Sequence, residues 1–65
     1  MENRITELRK ARKMTQQALA DQLCVSRQTI ISLESGRYNP SILLAHQIAV
    51  VFGLAIEEVF IFGEE

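Results

Sequence analysis

An all-α architecture, five short helices in one domain over residues 1–65, is what this sequence predicts, and three observations predict it. Apolar residues recur at three- and four-residue spacings, as in Leu19, Ala20 and Leu23 and again in Ile30 and Leu33. A residue suited to an N-cap precedes each of four such runs: Asn3, Thr15, Ser26 and Ser41. Gly36, Pro40 and Gly53 then punctuate the chain where helices should stop. A short terminal β element is the one addition to pure helix. It is suggested by Val59-Phe60-Ile61-Phe62, a β-branched and aromatic run.

The first helix is expected from Asn3 to about Lys13, burying Ile5 and Leu8 with Ala11 beside them. The second begins after Thr15 and buries Leu19, Ala20 and Leu23. Val25 plugs the turn that follows. The third begins at Ser26 and turns Ser26, Thr29, Ile30 and Leu33 toward the protein. Gly36 suits a left-handed stop there. Pro40 disfavours helix at Asn39, so Gly36 to Pro40 reads as a loop. The fourth helix, Ile42 to Phe52, follows Ser41 and is apolar nearly all round. Leu44, Ala45, Ile48, Ala49 and Phe52 form its core face, while Leu43 and Val50 lie roughly opposite. A helix apolar on two sides needs cover on both. His46 lies near that second face and reads as a packing or rim residue. A short fifth helix, Ala55 to about Phe60, carries Glu57 and Glu58 in its first turn, where acids suit the dipole.

Composition bounds the function. Sixty-five residues with 48% apolar content suit one small globule and leave no room for a deep enzymatic pocket. No nucleophile–base pair, carboxylate pair or Gly-rich phosphate loop is present, so an enzyme is not expected. One cysteine and one histidine cannot make a structural zinc site, and neither a metal nor another cofactor is expected. No apolar stretch could span a membrane and no signal peptide is visible, so a cytoplasmic protein is the expectation. Net charge is −1, which by itself argues against nucleic-acid binding. Its distribution argues the reverse. Residues 1–40 hold all seven Lys/Arg and four acids, hence +3; residues 41–65 hold four acids and no base, hence −4. Attraction to phosphate would be local to the first half.

The third helix divides by angle at 100° per residue. Arg27, Gln28, Ile31 and Ser35 point away from the protein, with Ser32 on the flank. Arg and Gln are side chains that reach guanine and adenine edges in a major groove. On composition alone, a solvated helix face reads equally well.

The motif T-Q-x-x-L-A-x-x-L-x-V-S-R-Q-T-I-x-x-L-E-x-G, from Thr15 to Gly36, resembles the helix-turn-helix core of the phage-repressor/Cro-like family, also called the XRE family. The segments L-R-x-x-R, Y-N-P-S and I-A-x-x-F-G match the same pattern in the right order. The resemblance covers about Ile5 to Phe60. It implies a lambda-repressor-like DNA-binding domain and, as partner, double-stranded DNA. It implies that Arg27, Gln28 and Ser32, with Ile31 against a thymine methyl, read bases, and that Gln16, Arg37 and Asn39 hold the DNA backbone. It also implies an ion pair between Arg9 and Glu34 that bridges the first and third helices. One departure is Cys24, where the family usually has glycine. If the family's left-handed backbone is kept there, a non-glycine residue costs about 1 kcal/mol.

The function implied is transcriptional regulation, as a repressor on a near-palindromic operator. The alternative is an antitoxin or antirepressor, a protein-interaction module on the same fold. No small-molecule ligand is evident. The apolar second face of the fourth helix and the C-terminal run point to a twofold homodimer through Leu43, Val50, Phe60, Ile61 and Phe62.

Overall fold

The computed structural model describes residues 2–62. Five helices follow one another: α1 (Ile5–Ala11), α2 (Gln16–Leu23), α3 (Arg27–Glu34), α4 (Ile42–Phe52) and α5 (Ile56–Val59). No strand forms among the described residues. The expected β element is reduced to an isolated antiparallel bridge between Asn3 and Phe60. Backbone hydrogen bonds flank it, from Arg4 N–H to the Val59 carbonyl at 2.8 Å and from Ile61 N–H to the Glu2 carbonyl at 2.9 Å.

Hydroxyl caps start α2, α3 and α4. Thr15, Ser26 and Ser41 each accept from the backbone N–H three residues on, at 3.0, 3.2 and 3.1 Å. In each case this satisfies a donor that the first turn leaves without a helical partner. Helix α1 departs from the expectation. Its cap position is Arg4, which gives no side-chain cap. Asn3, one residue earlier, accepts from Ile5 N–H at 3.1 Å and donates to the Leu33 carbonyl at 2.8 Å, tying the start of α1 to α3.

The first four helices end alike, on a residue in the left-handed region. These are Lys13 (φ 56°), Cys24 (φ 58°), Gly36 (φ 81°) and Gly53 (φ 68°). After each, the next N–H bonds back into the last turn, as from Val25 to the Ala20 carbonyl and from Leu54 to the Ala49 carbonyl, both at 3.0 Å. Lys13 also explains why α1 stops at Ala11, short of the expected end. Two of the four stops carry a side chain that disfavours the backbone they adopt. Cys24 is exposed, so its thiol gains little from burial to offset this. Cys24→Gly is expected to stabilise the domain by about 1 kcal/mol. For a domain this size that is a rise in melting temperature of about 4–8 °C, readable by thermal circular dichroism. An unchanged or lower midpoint would show that Cys24 is unstrained.

The helices enclose one core: Ile5 from α1; Leu19, Ala20 and Leu23 from α2; Ile30 and Leu33 from α3; Ala45, Ile48, Ala49 and Phe52 from α4; then Val59 and Phe60. Leu8, Val25, Leu44 and Val51 pack on it half-buried. Three expectations change. Ala11 is exposed, because α1 ends there. Ser26 is exposed too, because its hydroxyl caps α3. Phe60, expected at a dimer interface, is 1% exposed and belongs to the protomer core. After α5 the chain becomes extended, and extended backbone points successive side chains to opposite sides. The bridge to Asn3 turns Phe60 inward and leaves Ile61 outside.

Arg12 closes the end of α4. Its guanidinium donates to the carbonyls of Val51 at 2.9 Å and Phe52 at 2.7 Å, and lies 5.4 Å from the centre of the Phe52 ring. A cation at a helix C-terminus meets both the orphan carbonyls and the dipole.

Candidate nucleic-acid interface

The site is built on α3. Ile30 and Leu33 are fully buried and fix its inner side against the core. Arg27 and Gln28 stand exposed on the outer side and have no hydrogen-bond partner among the described residues. Ile31, 37% exposed, lies between them and Ser35. Ser32 is half-buried at the flank, and the Ser35 hydroxyl donates to its carbonyl at 2.9 Å. Thr29 is half-buried, with its hydroxyl 3.0 Å from that of Ser26. The donors able to meet base edges are thus free on one face of a helix clamped from behind.

The clamp is ionic as well as apolar. Arg9 Nε donates to Glu34 Oε2 at 2.6 Å and Arg9 Nη2 to Glu34 Oε1 at 3.3 Å, a two-point contact between α1 and α3. The side chains are 11% and 8% exposed. Arg9 Nη1 also donates to the Met14 carbonyl at 2.9 Å. Gln16, at the start of α2, donates from Nε2 to Glu34 Oε1 at 3.0 Å. One carboxylate therefore gathers α1, α2 and α3. Burial raises the Glu34 pKa, but hydrogen bonds from Arg9, Gln16 and Thr6, together with the Arg9 charge, outweigh it and hold the carboxyl below its ordinary value.

Of the residues expected on the DNA backbone, Arg37 and Asn39 are exposed in the loop after α3. Gln16 is half-buried, with one amide donor committed to Glu34. Of the remaining apolar residues expected at a dimer interface, Val50 and Ile61 border different clefts. Leu43 and Val50 are 64% and 61% exposed on the outer face of α4. Val50 borders a cleft with Cys24, His46 and Gln47. Ile61 borders another, with Asn3, Ser35 and Gly36 at the end of α3. Phe62 is exposed.

The basic half is less free than its composition suggested. Arg4 bonds to Glu7 and to the Glu58 carbonyl, Arg9 to Glu34, and Arg12 to the end of α4. Lys10, Lys13, Arg27 and Arg37 remain without an ion-pair partner among the described residues. The work of Arg12 had no local signal in sequence, since its partners lie 39 and 40 positions away. Among the described residues no group of three or more His, Cys, Asp or Glu could hold a metal, and no helix is long and apolar enough to cross a membrane.

Known proteins are similar to this chain in sequence and in fold. The helix-turn-helix family model matches residues 5–59. An HTH-type transcriptional regulator of Archaeoglobus fulgidus is 52% identical over 65 residues, covering all of this chain and 92% of the relative. The immunity repressor protein of Bacillus phage phi105 is 39% identical over 62 residues, which are 95% of this chain and 42% of the repressor. The crystal structure of a transcriptional regulator from Listeria innocua superposes with a TM-score of 0.82 at 23% identity. It covers all of this chain, which spans 64% of that one, and speaks for the fold alone. The chain belongs to the helix-turn-helix family, as a DNA-binding transcriptional regulator of the XRE type.

Proposed function

We propose that this regulator is a repressor that reads a near-palindromic operator as a homodimer. The observation that carries the reading is the outer face of α3, where Arg27 and Gln28 are exposed and unpartnered while Arg9, Glu34 and Gln16 fix the helix behind them. Helix α3 enters the major groove. Arg27, Gln28 and Ser32 meet base edges, with Ile31 on a thymine methyl. Arg37 and Asn39 lie on the sugar-phosphate backbone beside it, and Gln16 keeps a second amide hydrogen with which to join them. The phage relative is named a repressor, which favours repression over activation. A cytoplasmic location follows from the need to reach DNA.

Selection of duplexes from a random pool tests the readout. Gln28→Ala is expected to lose about 1–3 kcal/mol and to relax preference at one or two base pairs. Arg37→Ala is expected to weaken all duplexes alike and to lower the salt slope by about one. A Gln28→Ala protein with the same selected site and affinity would end the base-reading role of this face.

Exposed apolar surface supports the dimer. Leu43 and Val50, with Ile42 beside them at 80% exposed, make an apolar strip on α4 that the described residues leave uncovered. One recognition helix reads only a few base pairs, and a genome demands more. Twofold pairing covers the strip and sets two copies of α3 about one duplex turn, roughly 34 Å, apart. Sedimentation at micromolar concentration is expected to give twice the 7.4 kDa protomer mass. Val50→Glu is expected to give a helical monomer with lost operator binding. A wild-type protein that stays monomeric on DNA would sink the proposal.

A further inference from the structure

Tyr38 is a large aromatic side chain, 42% exposed, in the loop that leaves α3. Its hydroxyl has no hydrogen-bond partner among the described residues. With Gln28, Thr29 and Ser32 it lines an open cleft of about 170 Å³. The cleft has a definite place on the helix. At 100° per residue, Gln28 and Ser32 stand along one edge of the outward face, and Thr29 lies just beyond them. The opposite edge carries Glu34, where Arg9 and Gln16 are attached. The cleft therefore opens beside the base-reading face, on the flank away from the ion pair.

Its chemistry narrows the occupant. None of the four lining residues carries a charge. The strong phosphate seats are cations and nests of backbone N–H groups; hydroxyl and amide side chains such as these contact phosphates too, without adding charge. The surface they give the cleft is more apolar than polar, and their apolar parts are the Gln28 methylenes, the Thr29 methyl group, the Ser32 β-carbon and the phenol ring. The apolar projection that a major groove offers at base-pair level is the C5-methyl group of thymine.

We infer that the cleft between Tyr38 and the Gln28–Ser32 edge of α3 seats a thymine C5-methyl group, which makes Tyr38 a specificity-determining residue outside the recognition helix. This rests on the DNA-reading role proposed above. It is separate from the methyl contact of Ile31, which lies at the centre of the outward face, on the other side of Gln28. The two meet different base pairs. Gln28 then has two tasks, its amide toward an adenine edge and its stem as a cleft wall.

Replacing thymine with uracil removes only the methyl group and leaves pairing and charge unchanged. Each thymine of the selected duplex is replaced in turn, and binding is measured for wild type, Tyr38→Phe, Tyr38→Ala and Ile31→Ala. At one position uracil is expected to weaken the wild-type protein about fourfold, the factor that one buried methyl group amounts to. Tyr38→Phe keeps the ring and should keep that penalty. Tyr38→Ala should bind the thymine duplex about fourfold more weakly and no longer distinguish uracil there. Ile31→Ala should leave that position's penalty intact. Helical content by circular dichroism confirms folding of each variant. A uracil penalty that survives Tyr38→Ala at every position overturns the inference. So does a uniform loss in Tyr38→Phe with no uracil dependence, which assigns the hydroxyl to a phosphate. If wild type binds no duplex, the proposed function fails with it; if wild type binds selectively and Tyr38 does not couple to a methyl group, only this inference fails.

Discussion

Arg9→Ala is expected to lower the stability of the domain by about 3–5 kcal/mol, because it strands the Glu34 carboxylate at a site where only 8% of the side chain meets solvent. A domain of this length has on the order of 3–10 kcal/mol in total. The melting temperature should therefore fall by about 15–30 °C, or the domain should fail to fold cooperatively. The size comes from the partner left behind rather than from the pair itself. Exchanging both residues for apolar ones, Arg9→Met with Glu34→Leu, should recover most of the loss, because a buried pair contributes little beyond its own desolvation. If Arg9→Ala melted like wild type, the contact would be a surface pair of no consequence.

Acid should reveal the same contact in the unmodified protein. The folded state holds the Glu34 carboxyl below its ordinary value, while the unfolded chain does not. A depressed carboxyl pKa gives stability that is fully present above the unfolded value and is lost as pH falls through the folded one. The melting temperature of wild type should thus decline on the acid side of about pH 5. In Glu34→Gln the curve should start lower and lose part of that slope. An identical acid limb in both proteins would mean that other carboxylates carry it.

Much of this molecule was legible because its signals are local. Caps at Thr15, Ser26 and Ser41 are read from one residue and the run that follows it, and the oxygen of each accepts a backbone N–H as expected. The inner and outer sides of α3 follow from helical angle alone, and Ile30 and Leu33 are buried accordingly. The left-handed stop at Cys24 was legible only through the family's glycine, and the one at Lys13 was not legible at all, since no residue type marks it. Arg12 carried no readable role in the sequence because its carbonyl partners sit at the far end of the next-but-two helix. Tyr38 looked like part of a connector, since what gives it a role is the folding of the loop back beside Gln28 and Ser32. Long-range partners of this kind leave no period and no spacing to read.

The same limit misplaced Phe60, and the correction carries the second large effect. In sequence, Phe60 sits inside an apolar run with Ile61 and Phe62, and all three look like cover for a neighbouring molecule. In the fold, the single bridge to Asn3 assigns them differently: Phe60 is 1% exposed, Ile61 46% and Phe62 54%. Phe60→Ala should therefore act as a core truncation, removing an aromatic ring and leaving a cavity, at a loss of about 3–5 kcal/mol. Measured by urea, the midpoint should fall sharply at any protein concentration, with helicity lost together with it. Phe62→Glu should leave that midpoint nearly unchanged, because the side chain already meets water. A residue whose only role is at an interface would behave in the opposite way. Its truncation would leave the folded monomer intact and make apparent stability depend on concentration. Should Phe60→Ala unfold at the wild-type midpoint when dilute and differ only when concentrated, the aromatic ring would belong to a second copy after all and the core described here would end at Val59.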